Sequence, residues 1–255
     1  MDERIRKLKE DGQKLFSDRK SLESLWQDIA LQFYPEMAEF TATRSMGQDF
    51  ADHLTPSYPL IARRTLGDSL SALLRPVNLD TTSPGVWFSM RTGSEEREDD
   101  EAKKWLEWAT GTMRRAMYDR TANFVRATKE GDHMFATFGN APLSVELNRN
   151  RDGLLYRCHH LKDVAWCENA EGGIDAVYRN WEPTALQLMQ AFGDRASSRV
   201  KELVTKDPYT RVKCCHIVIR AESYAERDPA YKRYRTPWVS VWIDIDNDHL
   251  MEEVG

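Results

Sequence analysis

The sequence predicts an α+β fold, and three observations predict it. Apolar residues recur at three- and four-residue steps from residue 3 to about residue 138; from Pro142 onward the recurrence changes to two; and clusters of Gly, Asn, Asp and Pro separate the later segments at hairpin spacing. A helix-rich N-terminal half followed by antiparallel strands is the layout expected when the two element types are segregated along the chain. The expected division is a mainly helical part over residues 1–140 and a β-rich part with two short helices over residues 141–255.

The first helix is predicted over residues 3 to 34, where Ile5, Leu8, Leu15, Leu22, Trp26, Ile29 and Phe33 form an apolar stripe between charges, with a possible break at Gly12. Pro35 ends it, because the residue before a proline is pushed out of the helical region and proline has no donor. Residues 36 to 55 read as a polar connection. A second helix runs from Ser57 to Pro76 with Ile61, Leu66, Leu70, Leu73 and Leu74 on its apolar side and Arg63 and Arg64 on its polar side. Val86-Trp87-Phe88-Ser89-Met90 reads as a short strand. A third helix spans about Asp99 to Tyr118, its acidic start complementing the helix dipole, and a fourth runs from Asn123 to Gly139.

From Pro142 the pattern is that of strands. Leu143, Val145 and Leu147 alternate with polar neighbours, Asn148 to Gly153 supplies a turn, and Leu154 to His160 returns as partner. Val164 to Glu168 and Ile174 to Trp181 repeat the hairpin. Two short helices follow, from Pro183 to Gly193 and from Ser197 to Val204, and Val212 to Glu222 and Trp238 to Ile245 are long strands rich in β-branched and aromatic residues.

Charge and cysteine content exclude several functions. With 36 Lys and Arg against 41 Asp and Glu, a formal charge of -5 gives no global field drawing the chain onto phosphate backbones. No run approaches a membrane span, and the charged N-terminus carries no apolar signal core, which implies a cytoplasmic site of synthesis. Cys158, Cys167, Cys214 and Cys215 include a vicinal pair and no C-x-x-C, so reduced, mostly buried thiols are expected. The Gly-x-x-x-x-Gly-Lys-Ser/Thr phosphate loop of an ATP-driven motor is absent, as is a Gly-x-Ser-x-Gly nucleophile elbow.

Four constellations could carry chemistry. Cys158-His159-His160, Cys167 and Cys214-Cys215-His216 combine zinc-type ligands, but alternate strand residues point to opposite faces, so a four-ligand site would need the strands adjacent; buried thiols and hydrogen-bonded histidines are the plainer reading. Asp244-Ile245-Asp246-Asn247-Asp248 has the alternating acids of a calcium loop, yet its sixth and twelfth places hold His249 and Gly255 in place of Gly and Glu, so a solvated turn is expected. Glu130-Gly131-Asp132-His133 could hold a protonated histidine for acid–base work, whereas a helix kink or cap is simpler. Finally Arg211, Lys213, Arg220, Arg227, Lys232, Arg233 and Arg235, interleaved with Tyr224, Tyr231 and Tyr234, could touch a nucleic-acid backbone or a neighbouring subunit.

Three stretches, in this order, carry a family resemblance. Trp26-Gln27-Asp28-Ile29-Ala30 runs into Phe33-Tyr34-Pro35-Glu36; the helix Ala62 to Pro76 precedes Trp87-Phe88; and Asn123-Phe124 leads through Lys129-Glu130-Gly131-Asp132 to Phe138-Gly139-Asn140-Ala141 and Leu143-Ser144-Val145. Together these resemble the portal, or head-to-tail connector, proteins of short-tailed bacteriophages. The resemblance covers nearly the whole chain and rests on Trp, Pro, Gly and Leu patterns, with no catalytic residue among them.

The resemblance implies a structural subunit of a dodecameric ring at one capsid vertex, through which double-stranded DNA passes without sequence recognition during packaging and ejection. It implies capsid protein, the terminase motor and tail or adaptor proteins as partners, a place in the virion, and no cofactor, metal or enzymatic activity. Because Gly255 follows strands with no long helix after it, the chain is expected to be the wing region, without stem, clip or crown. Arg211, Lys213, Arg227, Lys232, Arg233 and Arg235 are the candidate subunit or DNA-backbone contacts. Two other function classes fit parts of the sequence: a zinc enzyme built on the Cys/His strands, and a nucleic-acid-binding module built on residues 211–235.

Overall fold

In the computed structural model, residues 3–45, 47–49, 51, 54, 56–76, 87–93, 99–225 and 236–255 are described. They form an α+β fold with antiparallel sheets of two and five strands. The chain divides into two compact units that interleave in sequence, one made of residues 1–24 and 161–255 and the other of residues 25–160.

The first unit is built around the larger sheet. Its strands β3 (Val164–Glu168), β4 (Ile174–Trp181), β5 (Cys214–Arg220), β6 (Trp238–Asp244) and β7 (His249–Val254) lie side by side in that order, every pair antiparallel. Tyr178, Ile217 and Val241 are cross-strand partners, and with Val239 and Ile243 they form one apolar face that packs on Ile5 and Leu8 of helix α1 (Glu3–Asp18). The opposite face carries Cys214, which packs with Leu188 and Phe192 of α6 (Ala185–Phe192) and Val200 of α7 (Ser198–Lys206). Neighbouring Cys214 and Cys215 thus belong to different cores, as the two-residue period of a strand requires. The α6 helix starts with a capping box: Thr184 accepts from the Gln187 amide while the Gln187 side chain accepts from the Thr184 amide. A short α8 (Ala221–Ala225) leads out of β5.

The expected break at Gly12 does not occur. The helix runs through Gly12, whose missing side chain admits the Tyr178 ring; a Cβ there would stand 3.0 Å from a ring carbon. The break comes at Arg19, between α1 and α2 (Lys20–Phe33). The Arg19 guanidinium donates to the carbonyls of Leu161, Lys162 and Val164, tying the helix junction to the start of β3. The unit boundary falls within α2.

The second unit contains the end of α2, then α3 (Tyr58–Leu74), α4 (Asp100–Met117), α5 (Phe124–Phe138) and the hairpin β1 (Leu143–Leu147) with β2 (Leu154–Cys158). Pro35 opens a short 3-10 turn where α2 stops. The buried Gln27 side chain organises the chain after it, donating to Ala38 O and accepting from Phe40 N at 3.0 and 2.8 Å. Phe40 is thereby placed among Trp26, Phe138 and His160, with ring centroids 4.8–5.5 Å apart. Asp99 caps α4 by accepting from Ala102 N, and Gly139 closes α5 in the left-handed conformation that glycine adopts without strain.

The expected strand at residues 86–90 begins on Val86, outside the described residues; residues 87–90 are irregular. Their polar groups go to side chains and not to a ladder: Met90 N donates to Thr110 Oγ1 at 2.9 Å and the Trp87 indole to Tyr118 Oη at 3.1 Å. The Trp87 ring stacks on Phe124, 5.7 Å away and nearly parallel.

Candidate functional site

The best-defined polar constellation lies where α3 crosses α5. Arg63, expected on the polar side of α3 beside Arg64, is buried, while Arg64 is exposed. Burial of the guanidinium is tolerated because its polar atoms find partners: Nε donates to Phe33 O at 3.2 Å, Nη1 donates to His133 Nδ1 at 3.1 Å, and the plane lies 3.8 Å over the Tyr34 ring. Since an arginine only donates, His133 Nδ1 is the acceptor and its proton sits on Nε2. That nitrogen faces Asp68 Oδ1 at 3.3 Å, and Lys129 reaches the same oxygen at 2.9 Å. Next to His133 in sequence, Asp132 pairs with Arg75.

The sequence permits this arrangement through Gly67. It is one of only two buried residues on α3, and a Cβ there would overlap the His133 ring. The Glu130-Gly131-Asp132-His133 run does not cap a helix. It is interior to α5, with Gly131 facing Leu143 and the two charged or polar residues after it turned toward α3.

Electrostatics follow from these contacts. Burial holds the His133 pKa below its ordinary value, the Arg63 charge pushes it the same way, and Asp68 only partly opposes them. The imidazole is thus neutral near pH 7, which does not match the protonated histidine of the acid–base alternative. Hydrogen bonding from Lys129 keeps the Asp68 carboxyl below the usual range. Burial raises the Tyr34 hydroxyl. Tyr34, Glu36, Arg63, Arg64, Asp68, Lys129 and His133 line a cleft of about 270 Å³, which contains cations and carboxylates but no thiol or serine nucleophile.

The other sequence candidates are distributed differently. Cys158 lies in the unit of residues 25–160 and Cys167, Cys214 and Cys215 in the other. His160 bonds to Met37 O, and His216 bonds to Ser240 and stacks on Trp242 at 3.8 Å. Burial pushes the thiols of Cys158 and Cys215 up to about 12 and that of Cys214 further, which leaves them poor ligands. Among the described residues no three His, Cys, Asp or Glu side chains gather as a metal-binding group. Asp244 is fully buried and holds a turn together, accepting from Ser197 Oγ, Asn247 N and Asn247 Nδ2.

Of the basic candidates, Arg211 and Lys213 are exposed beside the start of β5, where the Lys213 amide donates to Asp246. Arg227, Lys232, Arg233 and Arg235 lie outside the described residues. Arg220 pairs with Asp175 at 2.8 Å and lies over Trp238, and Tyr224 is buried.

A feature that periodicity did not reveal is the exposure of large apolar side chains in the unit of residues 25–160. On α3, Ile61, Leu66, Leu73 and Leu74 are each more than half exposed; on α4, Trp105 and Trp108 are; on β1, Val145 and Leu147 are. Among the described residues, the other unit exposes only Leu22, Ile174, Tyr209 and Val254 of this kind. No helix among the described residues is long and apolar enough to cross a membrane.

Comparison with known families adds one match. The family model described as bacteriophage head to tail connecting protein matches residues 6–255. No curated protein matches the chain.

Proposed function

The chain belongs to the bacteriophage head-to-tail connecting protein family, and from that premise we propose that it is a subunit of the portal ring. Its family role is structural, as a virion component joining head and tail. The finer reading is that copies assemble into a ring, a dodecamer by the resemblance, at one capsid vertex. Double-stranded DNA passes through that ring during packaging and ejection, and the terminase motor and later the tail dock on it. Both compact units are assigned to the wing region, and the subunits are made in the host cytoplasm.

The observation that carries this reading is the family match over residues 6–255. The surface is consistent with it. A ring needs two different lateral patches per subunit, and the unit of residues 25–160 presents tryptophans on α4 and leucines on α3, residues that seldom stay in water without a partner. A charge of -5 with both signs interspersed suits a wall along which DNA slides better than one that grips it. Arg211, Lys213, Arg227, Lys232, Arg233 and Arg235 are proposed as subunit or DNA-backbone contacts.

The test is to express the complete reading frame that contains these 255 residues and examine it by light scattering and negative-stain microscopy. Rings with a central hole are expected. A monomer at all concentrations, or stoichiometric zinc on Cys158, His160, Cys214 or His216 that is lost on their mutation together with a catalytic activity, would overturn the proposal.

A further inference from the structure

We propose that the chain Arg63–His133–Asp68 is a proton-sensitive latch that seats α3 on α5, closed when the imidazole is neutral and opened when it takes a second proton. The inference concerns the conformational behaviour of the subunit and stands independently of its place in a ring.

The geometry makes the latch depend on one protonation state. His133 serves as acceptor at Nδ1 and donor at Nε2, a combination available only to the neutral ring. A second proton would sit on Nδ1, pointing at the Nη1 hydrogens of Arg63 3.1 Å away, and would convert a hydrogen bond into a contact between two cations. Gly67 of α3 is pressed against the ring with no room for even a methyl group, which blocks its movement toward that helix. Separation of the two cations then draws on Arg63, and Arg63 is part of α3.

The charged groups around the ring come from three elements. From α3 come Arg63, Arg64 and Asp68; from α5 come Lys129, Glu130 and Asp132, the last paired with Arg75; from the turn after α2 come Tyr34 and Glu36. Among the described residues, Asp68 is the only carboxylate in hydrogen-bonding reach of the ring, and it is already shared with Lys129. It therefore favours the imidazolium less than burial and Arg63 disfavour it.

The rest of α3 gives the latch leverage. Only Arg63 and Gly67 are fully buried on this helix; Leu60 and Leu70 are half-buried, and Ile61, Leu66, Leu73 and Leu74 face outward, so limited apolar burial resists its release. Its polar anchors on α5 are at His133 and at Arg75–Asp132.

Hydrogen exchange followed by mass spectrometry on the full chain, at about pH 7.5 and about pH 5 with intrinsic rates corrected, reads the latch directly. Amides of residues 58–74 should lose protection by about threefold or more at the lower pH, while β5 and β6 keep theirs. In His133→Gln, whose amide can both accept and donate at either pH, the response should vanish. In Asp68→Asn, which alters an exposed side chain, the transition should move to lower pH, because the one group favouring the imidazolium is gone. Unchanged protection in the native chain, an equal response in His133→Gln, or an unmoved transition in Asp68→Asn would each overturn the proposal; if His133→Gln does not fold, the Asp68→Asn shift decides.

Discussion

Gly67 on α3 and His133 on α5 meet so closely that a Cβ on Gly67 would lie 2.2 Å from the imidazole Nδ1. The ring is held between Arg63 and Asp68, so making room for a methyl group breaks those contacts or pushes the helices apart. Gly67→Ala is expected to destabilise the chain by about 2 kcal/mol or more, even though alanine is the better helix former by about 1 kcal/mol. Gly111 on α4 is the control, since the nearest atom to its added Cβ is 4.0 Å away. Gly111→Ala should raise the urea midpoint, and Gly67→Ala should lower it. Equal midpoints for the two variants would refute this account of the crossing.

That crossing also marks where sequence reasoning stopped short. Three-and-four periodicity located α3, α4 and α5 because their stripes are long and their ends carry Asp99, Gly139 and Pro76. It could not tell which face turns inward. On α3, Ile61, Leu66, Leu73 and Leu74 point to solvent while Arg63 and Gly67 point to α5, against the usual amphipathic rule. The β1 strand behaves similarly, with Leu143, Val145 and Leu147 each about half exposed. Exposed apolar residues of this kind follow the period of a buried face without forming one. Arg19 and Gln27 were missed for another reason. Each satisfies several main-chain groups far along the chain or across a turn, and a lone polar residue on a helix carries no local sign of that task.

Arg19 is expected to be intolerant of lysine. One guanidinium reaches three carbonyls, those of Leu161, Lys162 and Val164, and also pairs with Glu23 at 2.9 Å. A lysine ammonium is a point donor on a flexible stem and cannot span that set, so carbonyls at the start of β3 would lose their partners. Arg19→Lys should cost about 2 kcal/mol and Arg19→Ala about 3 kcal/mol, read as shifts in denaturant midpoint. A change within about 0.5 kcal/mol in either would show that the junction is held by packing alone.

Asp244 should be as sensitive despite its resemblance to a calcium ligand. Its carboxylate is fully buried and accepts from Ser197, the Asn247 amide and the Asn247 side chain, which joins the start of α7 to the turn after β6. Asp244→Ala leaves those donors without partners and should cost about 3 kcal/mol. Added calcium should not raise the thermal midpoint of the unaltered chain. A calcium-dependent rise that Asp244→Ala abolishes would restore the ion-binding reading.

Alkaline pH is expected to weaken the fold over a defined window. Burial lifts the thiols of Cys158 and Cys215 from an ordinary 9.0 to about 12, and raises Cys214, Tyr34 and Tyr156 in the same direction. These groups keep their protons longer when folded than when unfolded. Their contribution is therefore complete below the unfolded thiol value and is lost as pH climbs from about 9 toward 12, because ionisation then favours the unfolded chain. Each thiol contributes a slope of about 1.4 kcal/mol per pH unit at most, less where it is partly exposed. Urea midpoints should fall between about pH 8.5 and about pH 10.5, and fall less steeply in Cys215→Ala, which removes one of these buried thiols. A midpoint that holds constant over that range, or a slope that Cys215→Ala leaves unchanged, would mean that this thiol is ionised as readily in the folded chain as in the unfolded one.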